Sequence, residues 1–448
     1  MNSYFKNKKI TVMGLGLLGR GLGDVRYLAK NGAELIVTDL KTRKDLRESL
    51  AKLRGLRGVQ YVLGKHRLGD FCGRDFILKA AGVALDSPYI AEARKRGIPV
   101  EMDESLFMQL APPIVSIGIT GTRGKTTATH LLYEILKAPE SPIVYTGRRT
   151  YLGGNVRGMA TLPLLDDVRA GDAVVLELSS WQLQGLGDAR ISPNIAVVTN
   201  FMDDHLNYYH GDRDAYWRDK TQIFLHQKAG DVVVATPEVA RRIRALRPKI
   251  KSRLIVARPS DVPRTWKVRL AGEHNRANLA CALRAAQALD VPRSIVKKVA
   301  ESFAGVEGRL ERIRVHNGIE VYNDTTATTP DATLAGLEAL AQKRNVILIM
   351  GGADKGLDMK KLLAALPRYT KAVILLTGSG TRRIRKAVHA LGHPIRDAST
   401  LGEAVRDAVS AAKAGDRILF SPAFASFGEF RNEFDRGEQF TALIKKLK

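Results

Sequence analysis

One segment constrains this chain more than any other: Gly118-Ile-Thr-Gly121-Thr-Arg-Gly124-Lys125-Thr126-Thr127. It follows an apolar run, Val115–Ile119, and opens a helical stretch beginning Ala-Thr-His-Leu-Leu-Tyr. Glycines let backbone N–H groups curl around phosphates, and Lys125 can neutralise the β/γ oxygens. The Thr126 hydroxyl can ligate Mg²⁺. The spacing is compact, because Ile119 rather than glycine stands five residues before Gly124. The pattern still specifies an ATP site, with Gly121, Thr122, Arg123, Gly124, Lys125, Thr126 and Thr127 around the phosphates. A strand that feeds a helix through such a loop belongs to a parallel sheet with helices on its faces.

The same rhythm runs along the chain and predicts an α/β protein. Upstream, Ile10–Met13, Glu34–Thr38 and Phe76–Lys79 read as strands separated by helical stretches. Ala173–Leu178 and Ile195–Thr199 continue the central unit, and Val346–Met350, Ala372–Thr377 and Arg417–Phe420 form a third. Ala111-Pro112-Pro113 is a breaker, and the third unit starts at Gly308-Arg309. At about 150 residues per domain, 448 residues fit three domains, placed at 1–111, 112–307 and 308–448.

Composition narrows the classes. Hydrophobic residues are 45% and charged residues 26%, which excludes disorder as the main description. Cys72 and Cys281 are too far apart in sequence for a metal-ligand motif and make no disulfide framework. The N-terminus lacks the apolar core of a signal peptide, and no apolar run approaches a bilayer span. The expectation is a cytoplasmic monomer without a membrane partner. The net charge of +25 invites a nucleic-acid ATPase, but aromatics are only 6% and no nucleic-acid module is recognisable. The basic stretch Arg241–Arg253 reads as a solvated helix and loop.

Other motifs leave alternatives open. Gly14-x-Gly16-x-x-Gly19 follows a strand and precedes Asp39 by the interval of a dinucleotide fingerprint. A nicotinamide site, another pyrophosphate ligand and a bare strand–helix turn all fit it. Glu177 ends an apolar strand and could hold Mg²⁺ or be a strand-terminal surface carboxylate. His205, in Asp-Asp-His, could ligate a metal or be a satisfied loop histidine. Lys220 alone reads as a solvated lysine. Asn278 could meet an adenine edge, while Asn275 could cap the same helix.

Taken in register, these motifs resemble the Mur ligase family, the ATP-dependent amide-forming enzymes of peptidoglycan precursor synthesis. The landmarks are GTRGKTT, Gly153-Gly-Asn155, LELSSWQL, DDHLNYY with Lys220 downstream, HNRAN, Gly308-Arg309, NDTTAT, GGADKG and SPAFASFGEFRNEFDRG. The resemblance covers essentially the whole chain and is nearest the members that add glutamate to UDP-N-acetylmuramoyl-L-alanine. It implies a Rossmann-like N-terminal UDP-binding domain, a central P-loop ATPase domain and a Rossmann-like C-terminal domain. It implies ATP with two Mg²⁺ sites, and a substrate acyl phosphate attacked by the amine of glutamate. Lys125 would hold the phosphates. Thr126, Glu177, His205 and a carbamylated Lys220 would serve the metals. Asn278, Arg309 and Asp324 match nucleotide contacts. Leu17, Asp39, Asn155, Thr328, Lys355 and Ser426 match substrate contacts. Leu18 and Leu40-Lys41 replace commoner polar partners after the glycine turn and Asp39, and two further positions depart from the family pattern. Thr326 stands where Asn-Asp-Ser-Lys-Ala-Thr-Asn has lysine, and Glu433 where the tail has an aromatic. Both concern the amino-acid pocket, so L-glutamate or another amino acid is the alternative to D-glutamate.

Overall fold

In the computed structural model, the described residues are 3–17, 19–204, 208–246, 250–426 and 430–447. They hold three sheets in two compact units, one of residues 1–262 with 277–299 and one of 263–276 with 300–448.

The first sheet contains β1 (Lys9–Met13), β2 (Glu34–Asp39), β3 (Val59–Leu63), β4 (Phe76–Lys79) and β5 (Val100–Glu101). Its order is β3-β2-β1-β4-β5 and every pairing is parallel. Chain order therefore reverses between β1 and β4, the place where open α/β sheets form ligand crevices at the strands' C-terminal ends. The glycine turn leaves β1 at that place. Gly14, Gly16 and Gly19 have φ of +99°, +67° and +91°, which side chains rarely tolerate.

The second sheet, in the same unit, contains β6 (Val115–Thr120), β7 (Thr150–Gly154), β8 (Ala173–Glu177), β9 (Ile195–Val198), β10 (Val232–Ala235) and β11 (Arg253–Val256). Its order is β11-β10-β9-β6-β8-β7, again all parallel. All five residues of β8 are buried, as expected of a central strand covered on both faces. Gly121 and Gly124 carry β6 into the helix Lys125–Lys137.

The second unit holds β12 (Glu311–His316), β13 (Ile319–Asn323), β14 (Val346–Gly351), β15 (Thr370–Leu376), β16 (Ile395–Ala398) and β17 (Arg417–Phe420), ordered β12-β13-β17-β14-β15-β16. Its edge is antiparallel, within an otherwise parallel sheet. β12 pairs antiparallel with β13 through a tight turn at Asn317-Gly318, both residues having positive φ. Separate apolar clusters pack against this sheet, one including Phe420 and Phe440 and another Leu337 and Phe424.

Among the described residues, no helix is long and apolar enough to cross a membrane.

Candidate functional site

The ATP loop is held from behind by the residues that follow β9. Asn200 Oδ1 accepts from the Arg123 N–H at 2.8 Å, while Thr199 Oγ1 and Asn200 Nδ2 donate to the Arg123 carbonyl. Thr122 Oγ1 exchanges hydrogen bonds with the backbone of Met202 and lies 3.2 Å from the Tyr216 hydroxyl. Gly124, at φ +78°, faces the Asn278 side chain so closely that any Cβ there would collide with the amide. Asn278 thus stands against the loop.

Two lysines converge on one carbonyl. Lys125 Nζ donates to the Gly121 and Thr122 carbonyls at 3.0 and 3.2 Å. Lys220 Nζ donates to the Gly121 carbonyl at 2.9 Å and lies 4.7 Å from the centre of the Tyr216 ring. Lys220 is only 1% exposed. Burial, and then the neighbouring Lys125 and Arg123 charges, hold its ammonium far below the ordinary lysine range, with Asp204 opposing. A neutral amine carries the lone pair that an electrophile such as CO₂ requires. Arg123 also pairs with Asp204 at 2.9 Å, joining the loop to the Asp-Asp-His segment.

Glu177 ends β8 at 2% exposure. Its Oε1 accepts from Asn155 Nδ2 at 3.1 Å, and its backbone carbonyl accepts from the Asn155 N–H. Oε2 is buried with no hydrogen-bond partner. An orphaned carboxylate oxygen beside an ATP loop is what a hard divalent cation would satisfy, and Thr126 sits on the first turn of the adjoining helix. Glu177 and Thr126 therefore fit Mg²⁺. Among the described residues, no three or more His, Cys, Asp or Glu side chains cluster as a metal site. A magnesium ion that shares phosphate oxygens and water needs fewer protein ligands. His205 lies outside the described residues.

The glycine turn after β1 meets the segment that follows Asn155. A Cβ on Gly19 would approach the Gly158 backbone to 3.3 Å, and one on Gly23 would strike Ala160. Asp39 is largely committed locally: Oδ2 accepts from the Gly16 N–H at 3.0 Å and Oδ1 from the Lys41 N–H at 2.8 Å. These bonds shape the turn. Leu17 stands 46% exposed at the turn's tip.

The second unit gathers the remaining candidates. Lys355 Nζ donates to Thr328 Oγ1 at 3.0 Å. Ala353 and Ala425 exchange two backbone hydrogen bonds, which joins the loop of Lys355 to that of Ser426. Arg436, fully buried, donates to the carbonyls of Thr325 and Phe424 and so ties those loops at their base. Burial lowers its guanidinium to about 10. Thr326 turns its hydroxyl to the Gly308 carbonyl at 2.9 Å, so it supplies no substitute for the missing lysine. Glu433 opens the final helix, and its carbonyl accepts from Thr325 Oγ1. Asp324 accepts from Ser421 Oγ and the Leu310 N–H, and burial pushes its carboxyl up to about 7. Arg309 lies near enough to oppose that shift.

Residues that the sequence left without a role are Thr199, Asn200, Tyr216 and Arg436. Thr199 and Asn200 directly follow the strand Ile195–Val198, which was the available signal. Arg436 lies in the SPAFASFGEFRNEFDRG landmark, but its burial is visible only in the structure.

Three family models match the chain: the MurD-like N-terminal domain of Mur ligases over residues 8–101, the Mur ligase middle domain over 119–261, and the Mur ligase glutamate ligase domain over 308–424. The UDP-N-acetylmuramoylalanine–D-glutamate ligase of Roseiflexus sp. is 36% identical, across 98% of this chain and 99% of the relative. The ligase of the same name from Borreliella burgdorferi is 34% identical, across 99% and 98%. Among solved structures, UDP-N-acetylmuramate–alanine ligase MurC from Thermotoga maritima aligns at TM-score 0.60 and 20% identity, covering 99% of this chain and 100% of that one. MurF ligase from the same organism, in complex with ADP, aligns at TM-score 0.58 and 18% identity, covering 99% and 96%. These structural likenesses speak for the fold.

Proposed function

The chain belongs to the Mur ligase family, and we propose that within it the protein adds D-glutamate to UDP-N-acetylmuramoyl-L-alanine, forming ADP and phosphate. The observation that carries this reading is Lys220, an amine buried against the ATP loop beside Lys125, where burial and the neighbouring cations disfavour its charge. A generic P-loop ATPase has no use for such a group. A ligase that must manage phosphoryl charge near a carboxylate does. The sequence relationship to D-glutamate ligases over nearly the full chain supports the substrate assignment.

The chemistry has two demands. A carboxylate resists attack by an amine, so it must first be activated. The tetrahedral anion that follows must then be stabilised. ATP passes its γ-phosphoryl group to the alanyl carboxylate, the glutamate amine attacks the acyl phosphate, and phosphate leaves. Lys125 binds the β/γ phosphates after exchanging its loop carbonyls for them. Asn278 and Gly124 shape the nucleotide site, and Arg309 and Asp324 contact the nucleotide. Glu177 and Thr126 would hold one Mg²⁺, with His205 and Lys220 at a second. The metal ions would offset charge on the transferring phosphoryl group. The Lys220 amine nitrogen would add to CO₂ and lose a proton to solvent, giving a carbamate anion in place of the amine. Leu17, Asp39 and Asn155 receive the UDP-muramoyl substrate. Lys355, Thr328 and Ser426 hold glutamate. We place the domains at 1–111, 112–307 and 308–448, and the protein in the cytoplasm as a monomer.

The test is ADP release with Mg²⁺, ATP and UDP-N-acetylmuramoyl-L-alanine, with D-glutamate, L-glutamate and other amino acids supplied separately. Release with D-glutamate alone supports the reading. Release with L-glutamate alone transfers the assignment to that isomer, consistent with Thr326 in place of lysine. No release with any amino acid would refute it.

A further inference from the structure

Lys79 ends β4, on the other side of the β1–β4 crevice from the glycine turn, and is 2% exposed. Its Nζ donates to the Val83 carbonyl at 2.8 Å and the Ala80 carbonyl at 3.3 Å. Among the described residues, no carboxylate lies within ion-pair distance of it. The clasped turn faces the glycine turn directly. Ala80 N–H donates to the Met13 carbonyl, and a Cβ on Gly14 would meet Ala80 Cβ at 2.8 Å. Further along the same segment, the Leu85 backbone meets the Tyr208 hydroxyl, and Asp86 lies 3.7 Å from His210. Residues 80–87 thus run from the crevice to the segment that follows the Asp-Asp-His motif.

We propose that Lys79 is a positioning residue for the UDP-muramoyl substrate. It fixes the 80–87 segment as the second wall of the crevice and leaves an ammonium charge beside the substrate's diphosphate. An ammonium bonded only to carbonyls, with carboxylates beyond ion-pair distance, is only partly neutralised, so a polyanion nearby supplies counter-charge that the fold leaves incomplete. The groups facing Lys79 are few. Glu104, from the helix Asp103–Leu110, Asp188, from Ser180–Asp188, and Asp219, from Arg213–Leu225, favour its charge. Arg94, from Pro88–Lys95, disfavours it, and burial brings the ammonium down to about 8. Substrate binding should therefore draw a proton onto Lys79 near pH 8.

This inference rests on the muramoyl substrate occupying the first sheet's crevice. The experiment compares wild type, Lys79→Met, Lys79→Arg and Asp39→Ala in steady-state assays. Lys79→Met should raise KM for UDP-N-acetylmuramoyl-L-alanine about tenfold while leaving KM for ATP within twofold. Lys79→Arg should restore most of the loss. Binding calorimetry of the wild type at pH 8, in buffers of different ionisation enthalpy, should show net proton uptake that Lys79→Arg abolishes. If Lys79→Met does not fold, the calorimetry decides alone. Equal effects on both KM values, or no proton uptake, would overturn the inference. An Asp39→Ala variant with unchanged KM for the muramoyl substrate would instead overturn the crevice assignment.

Discussion

Asp324 is a carboxyl placed where it is needed rather than where it is comfortable. It is 7% exposed, accepts hydrogen bonds from Ser421 and Leu310, and titrates near 7 instead of the usual 3.8. Desolvation is the main cause, with the two hydrogen bonds and Arg309 pulling the other way. The consequence for stability has a definite sign. Below pH 4 the folded and unfolded chains both hold the proton. Between pH 4 and pH 7 the folded chain keeps a proton that the unfolded chain releases. Stability from this group therefore falls as pH rises, by about 1.4 kcal/mol per pH unit, and levels off above pH 7. Over the whole window the loss is about 4 kcal/mol. Asp324→Asn keeps the shape and removes the titration. Denaturant unfolding of both proteins, followed through a probe in the second unit, should show Asp324→Asn gaining about 2–3 kcal/mol on wild type between pH 5 and pH 7. The same variant should lose affinity for ATP. A stability difference that stays flat over that window would refute the argument, because the altered hydrogen bonding of the amide shifts stability equally at every pH and only the titration varies with it.

Other perturbations address the central unit. Lys220→Ala should lower kcat by at least about a hundredfold, and short carboxylic acids added without bicarbonate should recover part of it; wild-type turnover in the variant would exclude the carbamate. Glu177→Gln should raise the Mg²⁺ concentration needed for half-maximal activity at least about tenfold, since the amide cannot offer the orphaned Oε2 as an anion; unchanged magnesium dependence would remove Glu177 from the metal site. Gly124→Ala, at φ +78° and facing Asn278, should cost about 1–2 kcal/mol of stability from the left-handed backbone and raise KM for ATP as well. An unaltered melting temperature and KM would show that the Asn278 contact is not as close as described.

Much of this was legible in the sequence, for physical reasons that vary by element. The central strands β6 and β8 are mostly apolar because both faces are covered, and such runs stand out. The glycine positions were visible because the chain needs left-handed backbone at Gly14, Gly16, Gly19 and Gly124. The short edge strands β3, β5, β7 and β16 carry mixed patterns and were not distinguished from loops. The β12–β13 hairpin was overlooked although Asn317-Gly318 is a strong turn signal, because charged residues interrupt its alternation. Burial was the hardest property to read. Lys220 read alone as a solvated lysine, and nothing in the sequence marked Lys79 or Arg436 as buried; only tertiary packing takes these basic side chains inside. The +25 charge is a related case: the site uses a handful of cations, and the rest lie elsewhere.

The most direct test follows oxygen. UDP-N-acetylmuramoyl-L-alanine labelled with ¹⁸O in its alanyl carboxylate should deliver one labelled oxygen to the phosphate released during amide formation, because activation passes through an acyl phosphate. Phosphate free of label, with ADP still released, would contradict the account of this protein as a carboxylate-activating ligase.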